Sequence, residues 1–157
     1  MYKIGIVGNG YVGGAIAHGF SPASTGTCQV KVYDILPDRS LNALEETVND
    51  SDFVFVSVPT PMDKNGVISL DYIQDVFHSI NHINERDDNI IILKSTVIPG
   101  TTQMLQTIHS NLNIVFNPEF LTEKSARLDF INQSRIILGG DEINTSKVAK
   151  LFKDRFK

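Results

Sequence analysis

Apolar residues follow two rhythms along this chain. Short apolar runs occupy 2–7, 29–34, 52–58, 89–95, 113–116 and 134–138. The third and fourth are almost unbroken Val, Ile, Phe and Leu, the composition of strands covered on both faces of a parallel sheet. Between the runs the spacing changes to that of a helix. Over 70–83, Ile73, Val76, Phe77 and Ile80 make one apolar stripe, with Ser69 placed to cap it. Val148, Leu151, Phe152 and Phe156 make another near the C-terminus, and 37–48 holds a short helix candidate. Strand and helix alternating from end to end predict an α/β fold: a doubly wound parallel sheet of about six strands with helices on both faces. The expected strand order is 3-2-1-4-5-6, with a ligand crevice at the carboxyl ends of the strands.

The first two runs carry the sharpest local signal. Tyr2–Val7 leads directly into Gly8-Asn9-Gly10-Tyr11-Val12-Gly13, and Asp34 ends the second run, 21 residues past Gly13. Strand, G-x-G-x-x-G, helix, strand and terminal acid form a dinucleotide-binding fingerprint of the Rossmann type. Gly8 permits the tight turn, Gly10 lets a pyrophosphate approach the backbone, and Gly13 allows close helix–strand packing. The helix N-terminus offers free N–H groups to phosphates. Asp34 can accept hydrogen bonds from both ribose hydroxyls. It would repel a 2′-phosphate, and no arginine immediately follows it, although Arg39 stands five residues on. NAD is therefore the expected cofactor rather than NADP.

Bulk properties narrow the field further. The 157 residues suit one domain, with 41% hydrophobic and 20% charged residues. A net charge of −4 gives no basic footprint for nucleic acid. No run is long enough to span a membrane, and the N-terminus lacks a signal-peptide layout. The lone cysteine, Cys28, cannot form an internal disulfide and reads as a small packing residue, so a cytoplasmic protein is expected. His78 and His82 have metal-compatible spacing but lie on the polar face of their helix with no acid to complete a site, so no metal is expected. Tyr11 and His18 read as packing or surface residues, and Lys94, at the end of a buried strand, as ion-paired or snorkelling.

Polar loops follow the predicted strands: Pro59-Thr60-Pro61, Ser95–Thr102 and Asn117-Pro118-Glu119-Phe120. With Asp34 they would line one crevice. Val58–Pro61, Lys94–Thr102, Asn117–Glu123, Ser125–Phe130 and Ser134–Gly139 together resemble, in order, signatures of the NAD-binding domain of the UDP-glucose/GDP-mannose dehydrogenase family. The likeness covers nearly the whole chain. It implies a domain that places NAD against Gly8, Gly10, Tyr11, Val12, Gly13, Asp34, Val58, Pro59, Thr60, Ser95, Thr96 and Glu123. In that family the C6 alcohol of a nucleotide sugar is oxidised to a carboxylate with two NAD⁺, through a thioester on a cysteine. By position, Thr96 resembles the threonine that helps place a catalytic water, Glu119 the acid of thioester hydrolysis, and Glu123 a glutamate contacting cofactor and substrate. Placed on one helix, Glu119 and Glu123 would share a face; the alternative for these acids is a stabilising role at a helix start, with Glu123 paired to Arg127.

The resemblance also implies departures. The family's nucleophilic cysteine lies in a C-terminal domain, and its catalytic lysine and asparagine in a central helical one. Residues 1–157 match neither, so a single cofactor domain is expected that binds NAD(H) without full turnover. A nucleotide sugar would be engaged only with those further parts. Between Asp34 and Ser51 the chain is also shorter than the family usually is, so the expectation is a chain pared down internally as well as at its C-terminus, a naturally compact or decayed product. An exposed face where the central helices would pack is expected to favour self-association or a partner chain. The rival expectation is a non-enzymatic nucleotide-sensing or interaction module derived from the same domain. A minimal dehydrogenase for small hydroxy acids ranks last, because no histidine stands at a predicted strand end to serve as base.

Overall fold

A computed structural model describes residues 1–22 and 28–156. Its sheet is built from β1 (Tyr2–Val7), β2 (Cys28–Tyr33), β3 (Phe53–Val56), β4 (Ile90–Leu93), β5 (Asn113–Phe116) and β6 (Gly139–Gly140). The helices are α1 (Tyr11–Phe20), α2 (Leu44–Asn49), α3 (Asp71–Ile83), α4 (Thr101–Ile108), α5 (Ala126–Ile131) and α6 (Glu142–Arg155). The first five strands are parallel. Alternation along them feeds two cores. Ile4, Ile6, Phe53, Phe55, Ile90, Ile92 and Val115 face α1, α5 and α6. Val7, Val54, Val56, Ile91, Leu93 and Ile114 face α2, α3 and α4. Both faces of each central strand are therefore dry, which is why β3 and β4 hold no polar residue.

The strand order is β2-β1-β3-β4-β5-β6, not the expected 3-2-1-4-5-6. The short segment after Asp34 supplies no outer strand. It makes a 3₁₀ turn at Pro37–Arg39 and then α2, which crosses β1 to reach β3. Gly5 makes that crossing fit: a Cβ there would stand 2.5 Å from the Thr47 carbonyl oxygen. The outer edge of β2 is partly covered by the same segment, with Leu41 and Asn42 N–H donating to the Val32 carbonyl and Asn42 Oδ1 accepting from Val32 N–H. In this order the chain reverses direction at β1/β3, so the crevice lies above those two strands.

The sixth strand also departs from expectation. Residues 134–138 are not strand; β6 is the next two residues and runs antiparallel to β5, pairing Phe116 with Gly139 and Val115 with Gly140. Asn117 holds the preceding segment instead, donating through Nδ2 to the Ile137 carbonyl at 2.8 Å. The stripe at 70–83 is helical as expected, beginning at Asp71, and Ser69 Oγ accepts from Asp71 N–H at 3.2 Å. Phe20 anchors the first core, its ring 5.7–5.9 Å from those of Phe55, Phe130, Phe152 and Phe156.

Candidate functional site

The glycine turn sits at the carboxyl end of β1, at the switch point. Gly8 has φ +94°, and its N–H donates to the Tyr33 carbonyl at 2.9 Å, tying the turn to the end of β2. A side chain at Gly8 would meet the Ser57 carbonyl oxygen at 2.6 Å, so the turn also abuts the end of β3. At Gly13 a Cβ would lie 1.8 Å from the Gly8 carbonyl oxygen: α1 packs directly on the turn. Gly10 is different. It is the N-cap of α1, no side chain caps that end, and a Cβ there would meet nothing within 4 Å. The free first-turn N–H groups and the positive end of the helix dipole thus face open space, where a phosphate group can approach the backbone.

Asp34 is nearly buried and braces this turn. Its Oδ2 accepts from Asn9 N–H at 2.6 Å and its Oδ1 from Leu36 N–H at 2.9 Å. Each carboxylate oxygen retains acceptor capacity for a ribose hydroxyl. Asn9 Nδ2 donates to the Arg39 carbonyl at 2.8 Å, so the 3₁₀ turn closes on the glycine loop.

Opposite the turn lies a second wall. Asn9, Gly10, Tyr11, Gly14 and Ala15 on one side, and Glu123 to Leu128 on the other, enclose a cleft of about 400 Å³. The second wall is shaped by Asp129, which accepts from Thr122 N–H and Ser125 Oγ, and is fixed to α1 through Phe130 against Phe20. These same hydrogen bonds, first the one from the Thr122 backbone, lower the Asp129 pKa. Gly10, Tyr11 and Glu123 are thus brought together as the sequence implied. Lys124 and Arg127 line the cleft too and carried no assignable signal, since a basic residue on an exposed helix face is ordinary.

Beside the turn, Ser95 Oγ donates to the Val58 carbonyl at 2.7 Å, stitching the end of β4 to the Val58-Pro59-Thr60 loop. Thr96 is exposed at that edge. Glu119 and Glu123 do not share a helix face: residues 117–122 are irregular, and Glu123 opens a 3₁₀ turn at Glu123–Ser125. Pro118 and the anchored Asn117 hold the chain out of a helix there. Among the described residues no ion pair joins Glu123 to Arg127. Glu119 is half-buried, and burial raises its pKa against the pull of the Lys94 charge. Lys94 does not snorkel, and among the described residues no ion pair reaches it: it is 2% exposed, and its ammonium donates to Asn117 Oδ1 at 3.2 Å. Val12 is partly buried against the first core from the first turn of α1. His78 and His82 lie exposed on α3, and Cys28 is buried at the start of β2. No group of three or more potential metal ligands occurs among the described residues.

Comparison with known proteins gives this arrangement its family. The sequence model of the UDP-glucose/GDP-mannose dehydrogenase family, NAD binding domain, matches residues 38–156. The chain belongs to this family. It is 32% identical over 122 residues to a UDP-glucose 6-dehydrogenase of Campylobacter jejuni, covering 77% of this chain and 30% of that protein. It is 35% identical over 113 residues to an uncharacterised Methanocaldococcus jannaschii protein, covering 70% of this chain and 13% of that one. The fold is also that of a Pyrobaculum islandicum UDP-glucose dehydrogenase (TM-score 0.81, 26% identity, 99% of this chain and 44% of that one). A GDP-mannose dehydrogenase from Pseudomonas aeruginosa superposes equally well (TM-score 0.81, 23% identity, 98% and 44%). The chain therefore spans less than half the length of these relatives. The match to Bacillus subtilis UDP-glucose 6-dehydrogenase runs over 174 positions but covers 88% of this chain. Since 88% of 157 residues is about 138, about 36 aligned positions have no counterpart here. This chain is the NAD-binding domain of the family.

Proposed function

We propose that this chain binds NAD(H) as the cofactor half of a nucleotide-sugar 6-dehydrogenase and, alone, holds the cofactor without completing sugar oxidation. The observation that carries this reading is the uncapped N-terminus of α1 at Gly10, open to the cleft, next to a carboxylate braced at the end of β2. The residues present fit a dinucleotide. Gly8, Gly10 and Gly13 leave the phosphates their backbone approach, Asp34 offers acceptors to the ribose, Tyr11 and Glu123 flank the same cleft, and Val12 seats the first turn of α1 on the core beneath it. Val58, Pro59, Thr60, Ser95 and Thr96 form the adjoining rim, where the nicotinamide end would lie. When bound, NAD⁺ supplies a hydride acceptor. Glu119 then stands as proton acceptor and Thr96 as a hydroxyl that orients water. Residues 1–157 act as one cofactor domain, and oxidation of a nucleotide sugar calls for groups beyond those assembled here. No helix of the described residues is long and apolar enough to cross a membrane, and a cytoplasmic setting is part of the proposal.

A second reading, a nucleotide-sensing or interaction module, draws on the apolar rim: Tyr11 (49%), Phe120 (59%) and Leu128 (65%) are exposed around the crevice. One calorimetric experiment separates the two. Titration with NAD⁺ is expected to show saturable binding, weakened at least about tenfold in Asp34→Ala by loss of the ribose acceptor and of the brace on Asn9. UDP-glucose added to the NAD⁺-loaded chain is expected to give no sustained NADH. No heat of binding by NAD⁺ would overturn the first reading and favour the second.

A further inference from the structure

Beneath the crevice lies a charge that the proposed chemistry does not use. Lys94 follows β4 with 2% of its surface exposed. An ammonium has three donors, and here one is satisfied, by Asn117 Oδ1 at 3.2 Å. The Phe130 ring lies 6.0 Å away and completes an apolar wall. Two residues past Asn117, Glu119 buries its Oε2 with no hydrogen-bond partner. Unsatisfied buried polar atoms are uncommon in folded proteins and call for a physical reason. Among the described residues no carboxylate lies within 4.0 Å of the Lys94 nitrogen, yet the charges of Lys94 and Glu119 act on each other across a longer separation.

We propose that Lys94 is the internal counter-charge of Glu119, a positioning residue that holds this carboxylate ionised at the crevice from a place no solute can reach. The geometry supplies the means. Asn117 is 1% exposed and is used on both sides, accepting from Lys94 and donating to the Ile137 carbonyl at 2.8 Å, so it fixes where the ammonium sits. Pro118, the single residue between Asn117 and Glu119, has its φ fixed by its ring. Lysine and glutamate are thus set past the ends of adjacent strands, with no ion pair in direct contact between them among the described residues. Burial opposes charge on both: it lowers Lys94 to about 8 and raises Glu119, and each partner's charge offsets part of that cost. A half-buried carboxylate alone would drift toward its neutral form and lose its use as a base. A cation placed below it counters that drift without occupying the crevice.

This inference rests on Glu119 acting in the crevice, but its test needs no cofactor. The Glu119 side-chain carboxyl and the Lys94 ε-carbon are followed by NMR across pH in the chain and in Lys94→Met, Lys94→Arg and Glu119→Gln. The Glu119 midpoint is expected to move upward in Lys94→Met and to stay near its original place in Lys94→Arg. In Glu119→Gln the Lys94 midpoint is expected to fall below its value of about 8. Because the coupling is reciprocal, the two shifts match in size. If Lys94 only fills space, both midpoints stand still, and that result overturns the proposal. Should Lys94→Met not fold, Glu119→Gln, at a half-buried position, decides alone. Failure to bind NAD⁺ would leave this outcome untouched, so the two readings fail separately.

Discussion

Replacing Gly10 and Gly13 separately by alanine should divide ligand approach from folding. At Gly13 the new methyl would stand 1.8 Å from the Gly8 carbonyl oxygen, with a further contact at 3.1 Å to Ile6 Cγ2. Alanine gains about 1 kcal/mol of helix propensity over glycine. Relief of the overlap requires α1 to lift from the turn, an overpacking cost of about 1–3 kcal/mol and occasionally more. The overlap is with backbone, which cannot swing aside, so the upper end applies and a net loss of about 2 kcal/mol is expected. For a domain of this size that is a fall in Tm of about 4–8 °C. At Gly10 nothing stands within 4 Å of the new methyl, and φ is −76°, which alanine accepts. The folding cost is then that of a poorer N-cap, below about 1 kcal/mol. The methyl instead occupies the path of a pyrophosphate, and NAD⁺ affinity should drop at least about tenfold, or about 1.4 kcal/mol. Scanning calorimetry and NAD⁺ titration of both variants provide the check. Gly10→Ala binding NAD⁺ as tightly as the parent would refute the role given to the cleft, and Gly13→Ala melting no lower than the parent would refute the packing argument.

Two further outcomes follow from the interior. Phe20→Ala removes the hub of the aromatic cluster and should cost about 3–5 kcal/mol, seen as a fall in Tm of about 6–20 °C; a loss below about 1 kcal/mol would mean the cluster collapses around the gap. Lys94 titrates at about 8 in the fold against 10.5 unfolded, so the unfolded chain binds more protons between those values and stability gains with rising pH across them. The charge penalty is therefore full at neutral pH, and Lys94→Met should be the more stable protein at pH 7 by about 1–3 kcal/mol, the advantage shrinking as pH rises past 8; denaturant melts showing a constant or growing advantage would refute the sign.

Much of the fold could be read from the chain because the strongest signals are local. The glycine turn, the acid at the end of β2 and the two dry central strands each carry their own pattern, and all stand where the sequence placed them. What failed was decided at a distance. The strand order turns on how α2 crosses β1, and the fit of Gly5 against Thr47 is invisible until the two elements meet. Residues 134–138 have the composition of a strand, but Asn117 takes the Ile137 carbonyl first. Glu119 and Glu123 have helical spacing, yet Pro118 and the anchored Asn117 keep that stretch irregular. Lys94 has the ordinary sequence position of a snorkelling residue, and only packing against Phe130 shows that its charge stays inside.

The case for NAD rests on two bodies of evidence that share few residues. The family match spans 38–156 and so omits the glycine turn, α1 and Asp34. Those omitted residues carry the fingerprint, and their geometry is sound by itself: a positive φ at Gly8, close packing at Gly13, open space at Gly10 and a carboxylate tied to the loop. A decayed turn kept only as fold would tolerate side chains at Gly10, since nothing in the protein presses on that position. The glycine there serves the helix as an N-cap and leaves the backbone open to a ligand. The short connection after Asp34 is tied to this turn, because Asn9 Nδ2 donates to the Arg39 carbonyl and Gly8 N–H to the Tyr33 carbonyl. The segment that supplies no outer strand therefore still closes on the phosphate end of the crevice.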